Sequence, residues 1–335
     1  MANRTRNSTP PVKTKPKRST SHRSPARFIA RVLPGARPAP FLGFVEPQVP
    51  ILKRDPPNGE RWVFEIKLDG YRVQAHLRGG KPALKTRSGL DWTGRFRSIA
   101  KALGDVRAND LILDGEVVVP DANGVPSFSL LQAELAAGRS GAMLFHVFDV
   151  MFLDGFDLRA APLIERKRVL AELLAPVAPP ILFSPHTEGD GKTIFEHACE
   201  MGLEGIVAKR RDAPYRSGKS ETWTKIKCVT RASFSVIGFD PDRDSIAALY
   251  LARREGKSLV YAGKVGTGFT RKSAHALRQV LDTVMVDGPQ ITLPMRKPKA
   301  VWVRPQFEAE IEYRDWSSDG LLRAASFKGL KKHTS

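Results

Sequence analysis

The 335-residue chain contains only two cysteines, Cys199 and Cys228, and neither has partners at zinc-ligand spacing. This low count argues against a zinc ribbon and against a disulfide framework, and we expect a reducing compartment. No apolar run approaches the roughly 18 residues that a membrane span needs. The first residues also lack the apolar segment of a secretory signal. We therefore expect no membrane partner.

Several common enzyme motifs are missing as well. The segment Gly189–Thr193 resembles the end of a phosphate-binding P-loop, but His186 stands where that pattern requires its first glycine. The chain has no His-Glu-x-x-His zinc motif and no Gly-x-Ser-x-Gly nucleophile motif. These absences remove the commonest nucleotide-binding and hydrolase explanations.

Acidic residues are scarce relative to basic ones. The chain has 35 Asp and Glu against 54 Lys and Arg, which gives a formal net charge of +19. Residues 1–40 contain ten basic residues and no acidic one, and the remainder keeps a basic surplus of nine. A surplus in both parts predicts a polyanionic partner, of which nucleic acid is the commonest. Prolines interrupt residues 1–42, so we predict a disordered basic tail that contacts phosphates.

The remaining chain shows the periodicities of strands and helices. Residues 43–230 alternate short strands with amphipathic helices, for example a strand at 62–67 and a helix at 163–175. Residues 231–335 predict about five strands and one helix, which suits a small β-barrel such as an OB-fold. The sequence therefore predicts a basic tail, an α+β domain over 43–230 and a barrel over 231–335.

A lysine at the end of a predicted strand is the first candidate for catalysis. Lys67 opens the sequence Lys-Leu-Asp-Gly-Tyr-Arg, which taken alone is more often a solvated turn. Other predicted strands carry acids at Glu116 and Glu204 and lysines at Lys225 and Lys227. Neighbouring cations lower the pKa of a lysine, and Mg²⁺ prefers a few carboxylates together with phosphate oxygens. The set therefore favours nucleotidyl transfer by a lysine nucleophile.

The order of these blocks resembles that of the covalent nucleotidyltransferases, which are DNA ligases, RNA ligases and mRNA capping enzymes. The segments that carry the resemblance are Lys67–Arg72, Thr86–Gly89, Asp114–Glu116, Phe145–Asp149, Glu204–Val207 and Trp223–Lys227. Within that superfamily, Arg210–Gly218, Lys264–Phe269 and Gly320–Leu330 resemble the ligase domain of bacterial ligase D, the end-joining ligase, in a stand-alone form. The resemblance implies an adenylation domain followed by an OB-fold domain.

The resemblance also implies a role for individual residues. Lys67 would carry AMP covalently. The residues that would contact the nucleotide are Glu65, Ile66, Arg72, Arg87, Glu116, Phe148, Lys225 and Lys227. Among them, Phe148 would stack on adenine and Glu65 would read its amino group. The implied metal ligands are Asp69, Glu116 and Glu204. Lys331 and Lys332 stand where the family has an Arg-Glu-Asp-Lys motif that orients the pyrophosphate.

The activity implied is that of an ATP-dependent DNA ligase that uses ATP and Mg²⁺, for which Mn²⁺ can substitute. Such an enzyme seals 5′-phosphate/3′-hydroxyl nicks in duplex DNA through a lysyl-AMP and an adenylated DNA, in DNA repair and end joining. We expect a monomer in the bacterial cytoplasm, associated with the nucleoid, that acts on nicked or broken duplex DNA with a Ku-type end-binding partner. Two alternatives stay open: an RNA ligase or other nucleotidyltransferase of this superfamily, and a DNA-binding relative with impaired catalysis.

Overall fold

The computed structural model describes residues 25–256, 258–294, 299–317 and 319–332. No helix within these ranges is long and apolar enough to cross a membrane. The helices are Pro25–Val32 (α1), Arg97–Ala102 (α2), Phe128–Ala136 (α3), Leu163–Leu174 (α4), Gly191–Glu200 (α5) and Arg271–Asp282 (α6).

The strands of the amino-terminal part are Arg37–Pro38 (β1), Gln48–Leu52 (β2), Trp62–Ile66 (β3), Tyr71–Arg78 (β4), Lys81–Thr86 (β5), Asp110–Val118 (β6), Leu144–Leu153 (β7), Phe156–Asp157 (β8), Ile181–Phe183 (β9), Gly205–Arg210 (β10) and Gly218–Lys227 (β11). Those of the carboxyl-terminal part are Thr230–Asp242 (β12), Ser245–Glu255 (β13), Ser258–Val265 (β14), Met285–Val286 (β15), Val301–Val303 (β16), Phe307–Tyr313 (β17), Asp315–Trp316 (β18), Leu322–Arg323 (β19) and Ser326–Lys332 (β20).

Two sheets form the amino-terminal part. The larger sheet has the order β1-β8-β7-β6-β4-β5, with β9 parallel to β7, and the smaller has the order β2-β11-β10-β3. Strands β3 and β4 follow each other in sequence but belong to different sheets, so residues 67–70 pass from one sheet to the other. The predicted strand at 62–67 and helix at 163–175 are confirmed by β3 and α4. This connection places Lys67 at the junction of the two sheets.

The carboxyl-terminal part is the predicted OB-fold. Its longest strand, β12, pairs with β13 on one side and with both β16 and β17 on the other, while β14 and β20 extend the sheet. Helix α6 packs on β13, over a core that includes Phe239, Leu251 and Leu277. Among the described residues these pairings do not close a complete barrel. The α+β architecture predicted from the sequence is therefore confirmed.

The predicted disordered tail is wrong for its second half. Residues 25–42 are folded against the amino-terminal domain, whereas residues 1–24 lie outside the described part of the chain. Pro25 begins helix α1, a position at which proline is compatible with a helix. Ala26, Ala30 and Leu33 follow at helical spacing and are buried in the main core. The prolines were therefore misinterpreted as helix breakers throughout the segment.

Candidate active site

A cavity of about 670 Å³ lies between the two sheets of the amino-terminal domain. Strands β2, β3, β10 and β11 supply residues on one side, and β4, β5, β6 and β7 supply residues on the other. The predicted nucleotide-site residues that line it are Ile66, Lys67, Arg72, Arg87, Glu116, Phe148 and Lys225. The fold thus brings together side chains from five separate blocks of the sequence.

Lys67 is held by an ion pair at the wall of this cavity. Its backbone N–H donates to the carbonyl of Gly205 at 2.9 Å, which fixes the connection between the sheets against β10. Its Nζ donates to Glu204 Oε2 at 2.5 Å, and the Nζ of Lys227 lies 3.2 Å from Glu204 Oε1. Partial burial raises the pKa of Glu204, but the charges of Lys67 and Lys227 outweigh it and lower that pKa overall. Glu204 is therefore ionised beside the candidate nucleophile.

Lys225 adds positive charge on the cavity side of β11. Burial lowers the pKa of Lys225, and the charges of Lys67, Lys227 and Arg87 lower it further. Such mutual repulsion among cations indicates a site whose charge a polyphosphate would neutralise. Lys227 does not line this cavity, and its Nζ lies next to Glu204 instead.

Arg72 connects the two sheets at the base of the cavity. Its guanidinium makes a bidentate contact with Asp114, at 3.0 and 2.7 Å, and Nη1 donates to the carbonyl of Gln48 at 2.6 Å. Asp114 also accepts from the hydroxyl of Tyr215 at 2.7 Å. Glu116 follows Asp114 on β6, and burial raises its pKa to about 8. Arg72 therefore holds β2 of the smaller sheet against β4 and β6 of the larger one. Glu116 lines the cavity between the sheets and can carry a proton at neutral pH.

The apolar end of the cavity contains a cation that the sequence did not reveal. Lys209 Nζ lies 4.3 Å from the ring centroid of Phe148 and 4.1 Å from that of Trp223. Burial lowers the pKa of Lys209 to about 8, although its partner Glu65 opposes this shift. Lys209 lies two residues after the block Glu204–Val207, and its period-two spacing from Val207 was the available signal.

Glu65 lies behind Lys209 and does not line the cavity. Its Oε2 accepts from Lys209 at 2.8 Å, and its Oε1 accepts from Lys167 at 2.8 Å. Lys167 also donates to the carbonyl of Ser184 at 2.8 Å. Of these two residues, Lys209 and not Glu65 lines the cavity, and its ammonium lies beside the ring of Phe148.

The three predicted metal ligands are not gathered at one point. Glu116 lines the large cavity, whereas Asp69 and Glu204 line a second cavity of about 310 Å³ that shares Lys67 with the first. Asp69 Oδ2 accepts from Arg314 Nη1 at 2.6 Å. In the described ranges no three His, Cys, Asp or Glu side chains are arranged to hold a metal. Mg²⁺ needs only one or two carboxylates when substrate phosphates complete its shell, so the ionised Glu204 beside Lys67 fits that requirement.

Lys331 and Lys332 line neither cavity. They occupy the end of β20, and the side chain of Lys331 is 68% exposed, with its Nζ 4.0 Å from Glu310. The carboxyl-terminal side chains that reach the second cavity are Arg314 and Arg323. Neither was identified from the sequence, because their approach depends on how the two domains meet.

Two glycines let the strands behind the site come close together. A Cβ atom on Gly70 would collide with the backbone carbonyl of Val117 on the neighbouring strand. A Cβ atom on Gly115 would lie 2.5 Å from the ring of Phe145 and 2.6 Å from the carbonyl of His146. Glycine is therefore required at both positions by the packing of β4, β6 and β7.

The cysteine count led us to expect no disulfide framework and a reducing compartment, yet the structure contains one disulfide. Cys199 and Cys228 form a disulfide, with a Cα–Cα distance of 5.3 Å, which closes a sequence separation of 29 residues. The bond joins the end of α5 to the residue that follows Lys227 on β11. A count of two argues against a disulfide-based scaffold, but it does not prevent one bridge between residues that the fold brings together.

Comparison with protein families shows to which of the covalent nucleotidyltransferases the chain belongs. Residues 52–227 match the family described as "ATP dependent DNA ligase domain", and residues 242–334 match "ATP dependent DNA ligase C terminal region". The chain belongs to the ATP-dependent DNA ligases. ATP is accordingly the nucleotide of this ligase, and a divalent metal is general in the family. The family match does not support the RNA ligase and capping alternatives.

Individual relatives agree with this assignment. The ligase is 37% identical over 318 residues to the multifunctional non-homologous end joining protein LigD of Pseudomonas aeruginosa, covering 89% of the chain and 38% of that protein. It is 33% identical over 292 residues to the SPbeta prophage-derived DNA ligase-like protein LigB of Bacillus subtilis, covering 86% of the chain and 99% of that protein. The ligase domain of Mycobacterium tuberculosis LigD superposes with a TM-score of 0.52 at 30% identity, covering 85% of the chain and 94% of that domain. The chain thus spans about two fifths of the LigD proteins it matches.

Proposed function

We propose that this ligase seals 5′-phosphate/3′-hydroxyl nicks in duplex DNA through a covalent AMP adduct on Lys67. The observation that carries the proposal is the position of Lys67, whose side chain lines both cavities and pairs with the ionised Glu204. A lysine attacks only as the free amine. Lys67 must therefore lose a proton and leave its ion pair with Glu204 before it attacks the α-phosphate. The adjacent cations then stabilise charge on the phosphates during transfer.

The cavity residues suggest how ATP is held. The adenine would lie between Phe148 and the wall formed by Ile66 and Val207, which gives it apolar contact on both faces. The ammonium of Lys209 would donate to the N1 atom of adenine, whereas guanine carries a hydrogen at N1 and would be rejected. Lys225 would contact the α-phosphate.

Three further residues complete the proposed nucleotide site. Glu116 would contact the ribose hydroxyls, since its pKa of about 8 lets it donate or accept a hydrogen bond near neutral pH. Arg87, which lines the same cavity, would add a second contact to phosphate. Glu204, with phosphate oxygens, would hold Mg²⁺, and the ion would neutralise charge on the transferring phosphate.

Labelling with α-phosphate-labelled ATP tests the adduct. The wild-type ligase should retain label on a denaturing gel with Mg²⁺ or Mn²⁺, and Lys67→Ala should retain none. The matched control is Lys192→Ala, because Lys192 is an exposed lysine on α5 that lines neither cavity and whose Nζ lies 3.8 Å from Glu196. An unlabelled wild-type protein that also carries no preformed adduct by intact mass would contradict the proposal, and so would label that survives Lys67→Ala.

We further propose that the substrate in the cell is a broken or nicked duplex in DNA repair and end joining. The similarity to LigD proteins and the net charge of +19 support this substrate. The ligase would work as a cytoplasmic monomer on the nucleoid, with a Ku-type end-binding protein bringing the ends together. The test compares sealing of a nick with joining of two duplex ends, with and without that partner. End joining that the partner fails to stimulate would contradict the partnership.

A further inference from the structure

A small hairpin of the carboxyl-terminal domain reaches the amino-terminal domain next to Lys67. Strands β18 and β19 pair in this hairpin, and the backbone N–H of Arg314 donates to the carbonyl of Arg323 at 3.1 Å. The hairpin contacts the other domain through an ion pair between Arg314 Nη1 and Asp69 Oδ2, at 2.6 Å. The side chains of this pair are 21% and 23% exposed, so the contact is largely shielded from water.

The second cavity lies beneath this hairpin. The charged residues that line it are Lys67, Asp69, Asp121 and Glu204 from the amino-terminal domain, and Arg314 and Arg323 from the carboxyl-terminal domain. Because Lys67 also lines the nucleotide cavity, the two cavities adjoin at the nucleophile. Two guanidinium groups therefore lie around a polar space directly beside the atom that would attack the α-phosphate.

Attack by Lys67 requires a place for the leaving group. The amine forms a bond to the α-phosphorus, the bond from that phosphorus to the bridging oxygen breaks, and its electron pair leaves with pyrophosphate. Lys67 gives one proton to solvent before the attack and a second after it. The charge that develops on pyrophosphate needs cations placed in advance, and the planar guanidinium binds phosphate oxygens in a bidentate manner.

We propose that Arg314 and Arg323 bind the β- and γ-phosphates of ATP and orient pyrophosphate as the leaving group. They would perform the task that the sequence resemblance had given to Lys331 and Lys332, which are exposed and line neither cavity. Asp69 is then a positioning residue, because its carboxylate holds the guanidinium of Arg314 toward Lys67. This inference rests on the proposed adduct at Lys67.

The two chemical steps can be measured separately. Formation of the lysyl-AMP from ATP releases pyrophosphate, whereas sealing of a nick that already carries AMP on its 5′-phosphate does not. For an Arg314→Ala/Arg323→Ala double variant we expect adenylation to slow by about tenfold to hundredfold, the range for loss of charge-assisted hydrogen bonds. Sealing of the pre-adenylated nick should stay within about twofold of the wild-type rate, as expected when only the other step uses the contact.

Reversal of adenylation measures how tightly the protein binds pyrophosphate, and this quantity would not change if the two arginines had a purely structural role. Wild-type lysyl-AMP protein, mixed with pyrophosphate, should return ATP, and the double variant should need a higher pyrophosphate concentration for the same rate. Arg314→Lys should recover part of the loss, because it restores charge without the bidentate geometry. The matched control is Arg278→Gln on α6, where the arginine pairs with Asp282 within the same helix.

Several outcomes would overturn the inference. Equal slowing of both steps would show a general loss of domain structure, and wild-type adenylation rates would show that the arginines do not contact the leaving group. Loss of adenylation in Lys331→Ala/Lys332→Ala, with the arginine variant unaffected, would return the role to the end of β20. Failure of the wild-type protein to form any adduct would instead contradict the proposed function itself.

Discussion

Breaking the disulfide between Cys199 and Cys228 should destabilise the domain that contains Lys67. The bond closes a loop of 29 residues in sequence separation, which includes β10 and β11. In the chain-entropy treatment a loop of this length restricts the unfolded chain by about 3.6 kcal/mol at 25 °C. We therefore expect reduction to lower the free energy of unfolding by up to about that amount.

Denaturant titrations of the oxidised and reduced protein, followed by tryptophan fluorescence, measure this change. Three of the five tryptophans, Trp62, Trp92 and Trp223, lie in this domain, and Trp223 is buried on β11 within the loop, so most of the emission reports on this domain. A Cys199→Ser/Cys228→Ser variant serves as the control, because its midpoint should equal that of the reduced protein and should not respond to reductant. Equal midpoints for oxidised and reduced wild-type protein, with the thiol content of each verified by alkylation and mass, would refute the reasoning.

Reduction should affect catalysis far less than stability. Two backbone hydrogen bonds hold the segment before Glu204 without the disulfide: Leu203 N–H donates to Ala198 at 3.0 Å, and Cys228 N–H donates to Glu204 at 3.0 Å. Because these contacts survive reduction, the pair between Lys67 and Glu204 should keep its geometry. We expect the rate of lysyl-AMP formation below the unfolding transition to change by no more than about threefold.

Three further perturbations have expected outcomes. Glu65→Gln removes the carboxylate between the buried Lys167 and Lys209, so we expect a loss of about 3–5 kcal/mol in denaturant unfolding. Lys209→Met should reduce the preference for ATP over GTP in adduct formation by about tenfold or more, because it removes the donor to adenine. Burial lowers the pKa of His76 from 6.5 to about 4, so only the unfolded chain is protonated between these values. Stability should therefore fall by up to about 3 kcal/mol as the pH drops from 6.5 to 4, and His76→Gln should remove that part.

Each of these expectations has a contrary result. Wild-type stability in Glu65→Gln would mean that the two lysines are neutral or hydrated in the folded protein. Unchanged nucleotide preference in Lys209→Met would remove Lys209 from adenine recognition, provided that Lys209→Arg behaves like the wild type. Identical acid titrations of wild type and His76→Gln would show that His76 is accessible to protons in the native state.

The sequence predicted the chemistry of the site better than its surroundings. Lys67, Arg72, Glu116, Phe148 and Lys225 were all assigned to the nucleotide site from short blocks, and all of them line one cavity. These assignments came from the resemblance of the blocks to the covalent nucleotidyltransferases, whereas period-two spacing predicted only that Lys225 and Lys227 share a face of their strand. The fold class was predictable from the same resemblance together with the spacing of strands and helices along the chain.

What the sequence could not supply depends on contacts between distant segments. The pairing of Glu65 with Lys167 joins β3 to α4, and the approach of Arg314 to Asp69 joins residues 245 positions apart. Helix α1 was missed because Pro25 was taken, like the other prolines of the segment, as a helix breaker. A helix this short depends on tertiary burial of Leu33 and its neighbours, which the sequence does not show. Local patterns carry no information about such partners.

The close strand packing at Gly70 and Gly115 means that these two glycines of the blocks Lys67–Arg72 and Asp114–Glu116 are not evidence of activity. Each glycine sits inside a block read as catalytic, yet its constraint comes from a neighbouring strand and not from the nucleotide. A descendant that had lost the chemistry but kept the fold would still need both glycines, whereas no such close backbone contact fixes the side chains at positions 67 and 204. Of these four positions, Lys67 and Glu204 can therefore distinguish an active member of such a lineage from an inactive one, and Gly70 and Gly115 cannot.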